Sequence, residues 1–343
     1  MIGFYIHHHG WGHRVRAGAI ARRLPGPVVG FSTLPGPDDW PGEWVRLADD
    51  WTAPVVEPTA GGAFHWAPVL HPGHRDRLGV LAARLGTDLT AMVVDTSAEI
   101  TVLARLFGVP TVLVALRGQR RDRPHRAGFA AADLILAPWP ATAPEPTWLA
   151  EWTTKTVFTG AISRFDHMAV PERPSPAPNG PRRVLVLWGA GGRTVTPGQI
   201  QAADAVTPGW QWVLRTPEFP SPDLWRDLTR ADVVVTHAGD SAVAEIAAAR
   251  APAVVIAQPR PFGEQKATTR ALGAAGCCVT LDRWPEAAEW PDLLLRASRL
   301  GGAAWGSWNP GTGALHAARA IEDLVRCRRL MATSRRATEG GTP

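Results

Sequence analysis

Residues 231–265 read ADVVVTHAGDSAVAEIAAARAPAVVIAQPRPFGEQ, and this stretch decides the fold. A strand runs to His237. His237, Gly239, Asp240 and Ser241 then form the turn into a helix that holds Glu245, and a second strand ends in AQPRPFGEQ. Strand, turn, helix and strand in that order make a parallel βαβ unit. The helix rise places Glu245 about one turn inside its N-terminal end, on the cleft side. Unpaired N–H groups at such a helix start stabilise phosphate, while a carboxylate behind them can accept hydrogen bonds from two ribose hydroxyls. Glu264 and Gln265 arrive at the same sheet edge, where they can bond sugar hydroxyls.

Working outward, the same alternation fills both halves of the 343-residue chain. GFYIHH, VVGFST, AMVVD, TVLVAL and DLILAP read as buried strands of the first half, and RRVLVLWG, WQWVL, DVVVTH, AVVIAQ and CCVTL as those of the second. Ile100, Leu103, Ala104 and Phe107 mark one apolar helix face, and Thr196 and Ser221, each before a proline, read as helix starts. The fold class is therefore α/β, with two Rossmann-like domains facing across a cleft. The expected domains are residues 1–165 and 182–330, joined by a proline-rich linker at 166–181, with 331–343 a disordered tail beyond a helix ending near Arg329.

Each half has a glycine-rich loop after its first strand. In HHHGWGHRVRA, Val15 stands at the third glycine position after Gly10 and Gly12; in LWGAGGRTV, Thr194 stands there after Gly189 and Gly191. Dinucleotide binding is disfavoured, but Gly12, Gly189, Gly191 and Gly192 still bring backbone N–H groups toward a phosphate. His13 follows Gly12 where the first helix begins, and a neutral imidazole there can take a proton from an attacking hydroxyl. His7, His8 and His9 lie on or beside the strand and are not assigned a role.

A formal charge of +5, with acidic and basic residues interspersed, gives no footprint for nucleic acid. The densest basic stretch, RGQRRDRPHR, reads as a solvated loop, with contact to an anionic acceptor or a membrane surface as the functional alternative. Three cysteines without metal or redox spacing fit a reducing compartment. The opening MIGFYIHHH lacks the pattern of a signal sequence, so the expected location is the cytoplasm, with peripheral membrane contact as an extension. No D-x-D pair occurs, so neither a metal nor any cofactor beyond the nucleotide-sugar co-substrate is expected.

These residues resemble the GT-B glycosyltransferases, particularly family 28, which includes the bacterial peptidoglycan lipid-intermediate N-acetylglucosaminyltransferase. AGDSAVAEIAAARAP is similar to that family's donor-site helix. The HAG turn with Glu245, Glu264 and Gln265 also resembles the signature of UDP-dependent glycosyltransferases. The resemblance implies a metal-independent transfer from a UDP-sugar to an acceptor hydroxyl, the acceptor being lipid-linked or a small metabolite. It implies Glu245 on ribose, His237, Gly239, Asp240 and Ser241 near the diphosphate, and Glu264 and Gln265 on the donor sugar. Gly189, Gly191 and Gly192 would close over the phosphates, with His13 as base. The H-R-V-R continuation resembles a nucleotide-sugar hydrolase of the same fold, so hydrolysis or epimerisation stands as the alternative. A non-catalytic nucleotide-sugar-binding protein stands as the alternative from another class.

Overall fold

The computed structural model describes every residue except 9–10, 53, 145, 171–179, 190–193 and 340–343, and the side chains of 332 and 335–339. The first sheet contains β1 (Ile2–Tyr5), β2 (Val28–Ser32), β3 (Glu43–Arg46), β4 (Ala91–Asp95), β5 (Thr111–Val114), β6 (Leu134–Ala137) and β7 (Thr156–Phe158). Its spatial order is β3-β2-β1-β4-β5-β6-β7, and every neighbouring pair is parallel. Helices α1 (Gly12–Ala21), α2 (Pro72–Leu85), α3 (Ala98–Leu106) and α4 (Arg123–Ala131) connect the strands. The apolar runs of β2, β4, β5 and β6 are buried along their whole length, as strands covered on both faces must be. Ser97 and Asp122 start α3 and α4 by accepting hydrogen bonds from the N–H of Ile100 and His125. On α3, Ile100 and Ala104 are buried, whereas Phe107 is 43% exposed at the helix end, so the expected apolar face is one residue too long.

The second sheet is built from β8 (Arg182–Leu187), β9 (Trp210–Arg215), β10 (Val233–His237), β11 (Ala253–Ile256) and β12 (Val279–Leu281), in the order β12-β11-β10-β8-β9 and again parallel. Between them lie α5 (Pro197–Ala205), α6 (Leu224–Arg230), α7 (Asp240–Ala248) and α8 (Glu264–Ala274). Thr196 caps α5 in a reciprocal capping box with Gln199, as its place before Pro197 predicts. Ser221 does not start α6; Asp223 does, through the N–H of Arg226.

After β12 come α9 (Trp290–Leu300), α10 (Trp305–Trp308) and α11 (Gly313–Glu339). Two boundaries differ from the sequence reading. Helix α11 continues to Glu339 instead of ending near Arg329, so residues 331–339 extend a helix where a disordered tail was expected. Its stripe of Ala314, Ala317, Ala318 and Ile321 packs with Phe4, Ile6 and Ile20 of the first domain, so α11 belongs to that domain's core although it follows the second sheet. The chain therefore crosses between the lobes twice. Ala161 N–H donates to Trp308 O at 2.9 Å and Asn309 Nδ2 to Asp166 Oδ1 at 3.0 Å, which binds the two crossings together. Of the expected linker, residues 171–179 lie outside the described residues.

Candidate active site

In an open parallel sheet, the crevice for a ligand opens at the carboxyl ends of the strands where the order reverses. In the first sheet that point lies between β1 and β4, and in the second between β8 and β10. The two points face one another across the lobes. A Cβ added to Gly12, the first residue of α1, would stand 2.5 Å from Ser241 Oγ in α7, so the helices meet at a separation only glycine allows. Arg16 Nη1 reaches Asp240 Oδ2 across the same seam at 3.0 Å.

His13 sits in the first turn of α1 and Asp95 ends β4. Because β1 and β4 are neighbours, the two side chains converge, with Nδ1 3.0 Å from Asp95 Oδ2. Asp95 also accepts from Arg16 Nη2 at 2.8 Å. Arg16 Nη2 also lies 3.3 Å from Nδ1; donation of Nδ1–H to the carboxylate is the arrangement that leaves Nε2 as the acceptor a general base requires. Burial would raise the Asp95 carboxyl, but the charges of Arg16 and His13 outweigh it and hold it at about 2. A permanently ionised orienting carboxylate is the result.

Across the seam, Gly239 caps α7, and Ser241 lies half-buried at its start. Asp240 Oδ2 pairs with Arg16 Nη1 and so ties the two lobes together at the first residue of α7. His237 is buried, and burial, with Arg260 acting in the same sense, holds its imidazole down at about 4, so the ring is neutral. Gln265 fixes that ring: its Oε1 accepts from Gln258 N–H at 2.9 Å and its Nε2 donates to His237 Nδ1 at 3.2 Å. The amide thus links His237 to the backbone of Gln258 inside the lobe. Glu264 does face the other lobe, 3.4 Å from Arg120 Nη2. Gly189 approaches His237 at the end of β8; Gly191 and Gly192 lie outside the described residues.

Glu245 is 6% exposed, and its Oε1 pairs with Arg164 Nε at 2.8 Å. Burial raises its carboxyl above the ordinary value, with Arg164 working against that shift. Arg164 follows β7 in the crossing between the lobes, so the carboxylate lies at their junction and not within the sheet packing.

The family model for the glycosyltransferase family 28 C-terminal domain matches residues 221–286, the segment from α6 through β12 that carries this half of the site. The glycotransferase of kitacinnamycin is similar over 94% of this chain and 98% of its own, at 17% identity and a TM-score of 0.64. Acinetobacter baumannii MurG is similar over 94% and 99%, at 15% identity and 0.61. The spinosyn rhamnosyltransferase SpnG complexed with thymidine diphosphate is similar over 97% and 100%, at 14% identity and 0.54. No curated protein matches the sequence. The chain has the GT-B fold of these glycosyltransferases, and its residues 221–286 match the family 28 C-terminal domain.

Sequence reading missed Asp95 and Arg16, and took Arg120 only as part of the basic loop. Asp95 appeared only as the end of a strand, and its meeting with His13 depends on β1 lying beside β4. The RGQRRDRPHR stretch is not simply solvated: Arg117 and Arg120 are 4% and 5% exposed, while Arg121, Arg123 and Arg126 face solvent. Gly118 turns this loop at φ +107°, with Phe262 O of the other lobe 2.6 Å from where a Cβ would stand, and Gln119 N–H donates to that oxygen at 2.7 Å. The nearby His65, Asp122 and His125 form a hydrogen-bonded cluster. Arg120 Nη1 donates to His125 Nε2 at 2.8 Å, which leaves Nδ1–H for Asp122 Oδ2 at 2.7 Å, so both ring nitrogens are engaged. No described helix is long and apolar enough to cross a membrane.

Proposed function

We propose that the chain transfers a sugar from a nucleoside-diphosphate donor to an acceptor hydroxyl, with His13 as base and Asp95 as the group that orients it. The observation that carries this reading is the 3.0 Å His13–Asp95 contact at one sheet's switch point, set directly against the start of α7 at the other's. His13 Nε2 removes the hydroxyl proton as the oxygen attacks the anomeric carbon, and negative charge builds on the departing diphosphate. The N–H groups at the start of α7, Ser241 and the turn at Gly189 meet that charge, which favours the transition state over the ground state. Glu245 takes the ribose hydroxyls in place of Arg164, and Glu264 approaches the sugar. Support for a nucleoside-diphosphate donor comes from SpnG, whose structure holds thymidine diphosphate.

The acceptor side has an apolar rim. Trp11 is 60% exposed beside Gly12, and Trp51, 43% exposed, stacks on His8 at 4.0 Å. Such indole faces suit a hydrophobic aglycone or lipid-linked acceptor. The test is incubation with UDP- and TDP-sugars and a panel of hydroxyl acceptors. Acceptor-dependent release of UDP or TDP, with a glycosylated product, supports transfer. Equal release of free sugar with and without acceptor replaces it with hydrolysis, and an altered nucleotide sugar with epimerisation. Tight nucleotide binding with complete inertness would leave a binding protein.

A further inference from the structure

Arg117 carries a buried charge with no ion-pair partner among the described residues. It follows β5, is 4% exposed, and lies at the pocket between the lobes. Its Nη1 donates to Pro144 O at 2.8 Å, which fixes the plane of the guanidinium. Its Nε and Nη2 meet no acceptor among the described residues. Those two donors lie on one edge of the guanidinium and point in parallel, the fork that receives two oxygens of a carboxylate or phosphate. Trp139 and Trp308 pack at 4.8 and 5.5 Å from the guanidinium carbon, and their faces exclude water from it.

The neighbouring cations differ. Arg16 is bound to Asp95 and Asp240, and Arg120 to His125, Glu264 and two carbonyls. Asp240 is the acid whose charge Arg117 feels, but Arg16 already holds its carboxylate. Burying an ion without a partner costs several kcal/mol, so an arginine kept in this state has a use for its free edge. Ser241, Val243 and Thr268 of the second lobe line the same pocket, with the start of α7 among them. An anion placed there would meet the arginine fork from one side and the helix start from the other.

We infer that this pocket is an anion subsite, in which Arg117 Nε and Nη2 grip two oxygens of a phosphate or carboxylate on a ligand held between the lobes. The proposed function enters only in naming the source: the diphosphate of the donor, or an acidic group on the acceptor.

Calorimetric titration of wild type, Arg117→Met and Arg117→Lys tests it, using inorganic pyrophosphate, phosphate, acetate, UDP, TDP and uridine. Pyrophosphate, phosphate or acetate should bind wild type and lose roughly 10- to 100-fold in affinity in Arg117→Met. Arg117→Lys, with the charge but not the fork, should fall between. Should Arg117→Met fail to fold by circular dichroism, the lysine variant carries the comparison. Weakened UDP with unchanged uridine assigns the anion to the donor. Unchanged UDP, with inorganic anions weakened even at saturating UDP, assigns it to the acceptor. Wild type and both variants binding every anion alike, or wild type binding none, overturns the subsite. If inorganic anions respond to Arg117 but neither UDP nor TDP binds wild type, the subsite stands and the nucleotide donor falls.

Discussion

His13 Nδ1 and Asp95 Oδ2 lie 3.0 Å apart, although 82 positions separate the residues between the start of the first helix and the end of the fourth strand. The contact orients the imidazole, so catalysis should depend on both residues as one unit. His13→Ala and Asp95→Asn should each lower turnover by about 10²–10⁴, and the double variant should be little worse than the weaker single. Steady-state transfer rates check this, and multiplicative losses would separate the two roles.

Asp95 should also leave its mark on acid stability. Its folded carboxyl is depressed from 3.8 to about 2, so the stability it adds is present above about pH 4 and is lost as pH falls toward 2. The shift corresponds to about 2 kcal/mol. Urea denaturation at about pH 6 and about pH 2.5 should show that increment in wild type and not in Asp95→Asn.

Arg16 holds Asp95 in one lobe and Asp240 in the other, and is itself 4% exposed. Arg16→Met leaves Asp95 buried without its strongest partner, and stability should fall by about 3 kcal/mol or more. Asp240→Asn breaks only the interlobe half of the bridge. Its melting point should change less than that of Arg16→Met, which differential scanning calorimetry resolves.

The seam at Gly12 predicts a coupled pair. An added Cβ would meet Ser241 Oγ at 2.5 Å and Ser241 Cβ at 3.2 Å. Gly12→Ala should impair transfer while leaving the melting point within about 2 °C, because each lobe keeps its own core. Adding Ser241→Ala removes the nearer atom and should restore part of the rate. A double variant no faster than Gly12→Ala would show that the approach of these helices does not matter.

Sheet architecture was legible because parallel strands buried on both faces leave unbroken apolar runs such as AMVVD and DVVVTH. The short strands EWVR and TVF escaped, since half-exposed edge strands carry no such run. The helix starts beside His13 and at the α7 turn were readable from local glycine and helix-start signals. Asp95 was not, because its partnership arises from strand order. The stripe of Ala314, Ala317, Ala318 and Ile321 had visible helical spacing, yet nothing local states that it returns to the first lobe. Gln265 is the opposite case: its place beside Glu264 was visible, but only the fold shows its amide bonded to Gln258 and His237.

The central claim is that a nucleoside diphosphate lies between the two switch points. A crystal structure of the chain with UDP or TDP tests it most directly. The account predicts the diphosphate against the start of α7 at Gly239 and Ser241, the ribose hydroxyls on Glu245, and Arg164 displaced from that carboxylate. A nucleotide bound elsewhere, with Glu245 still paired to Arg164, would contradict it.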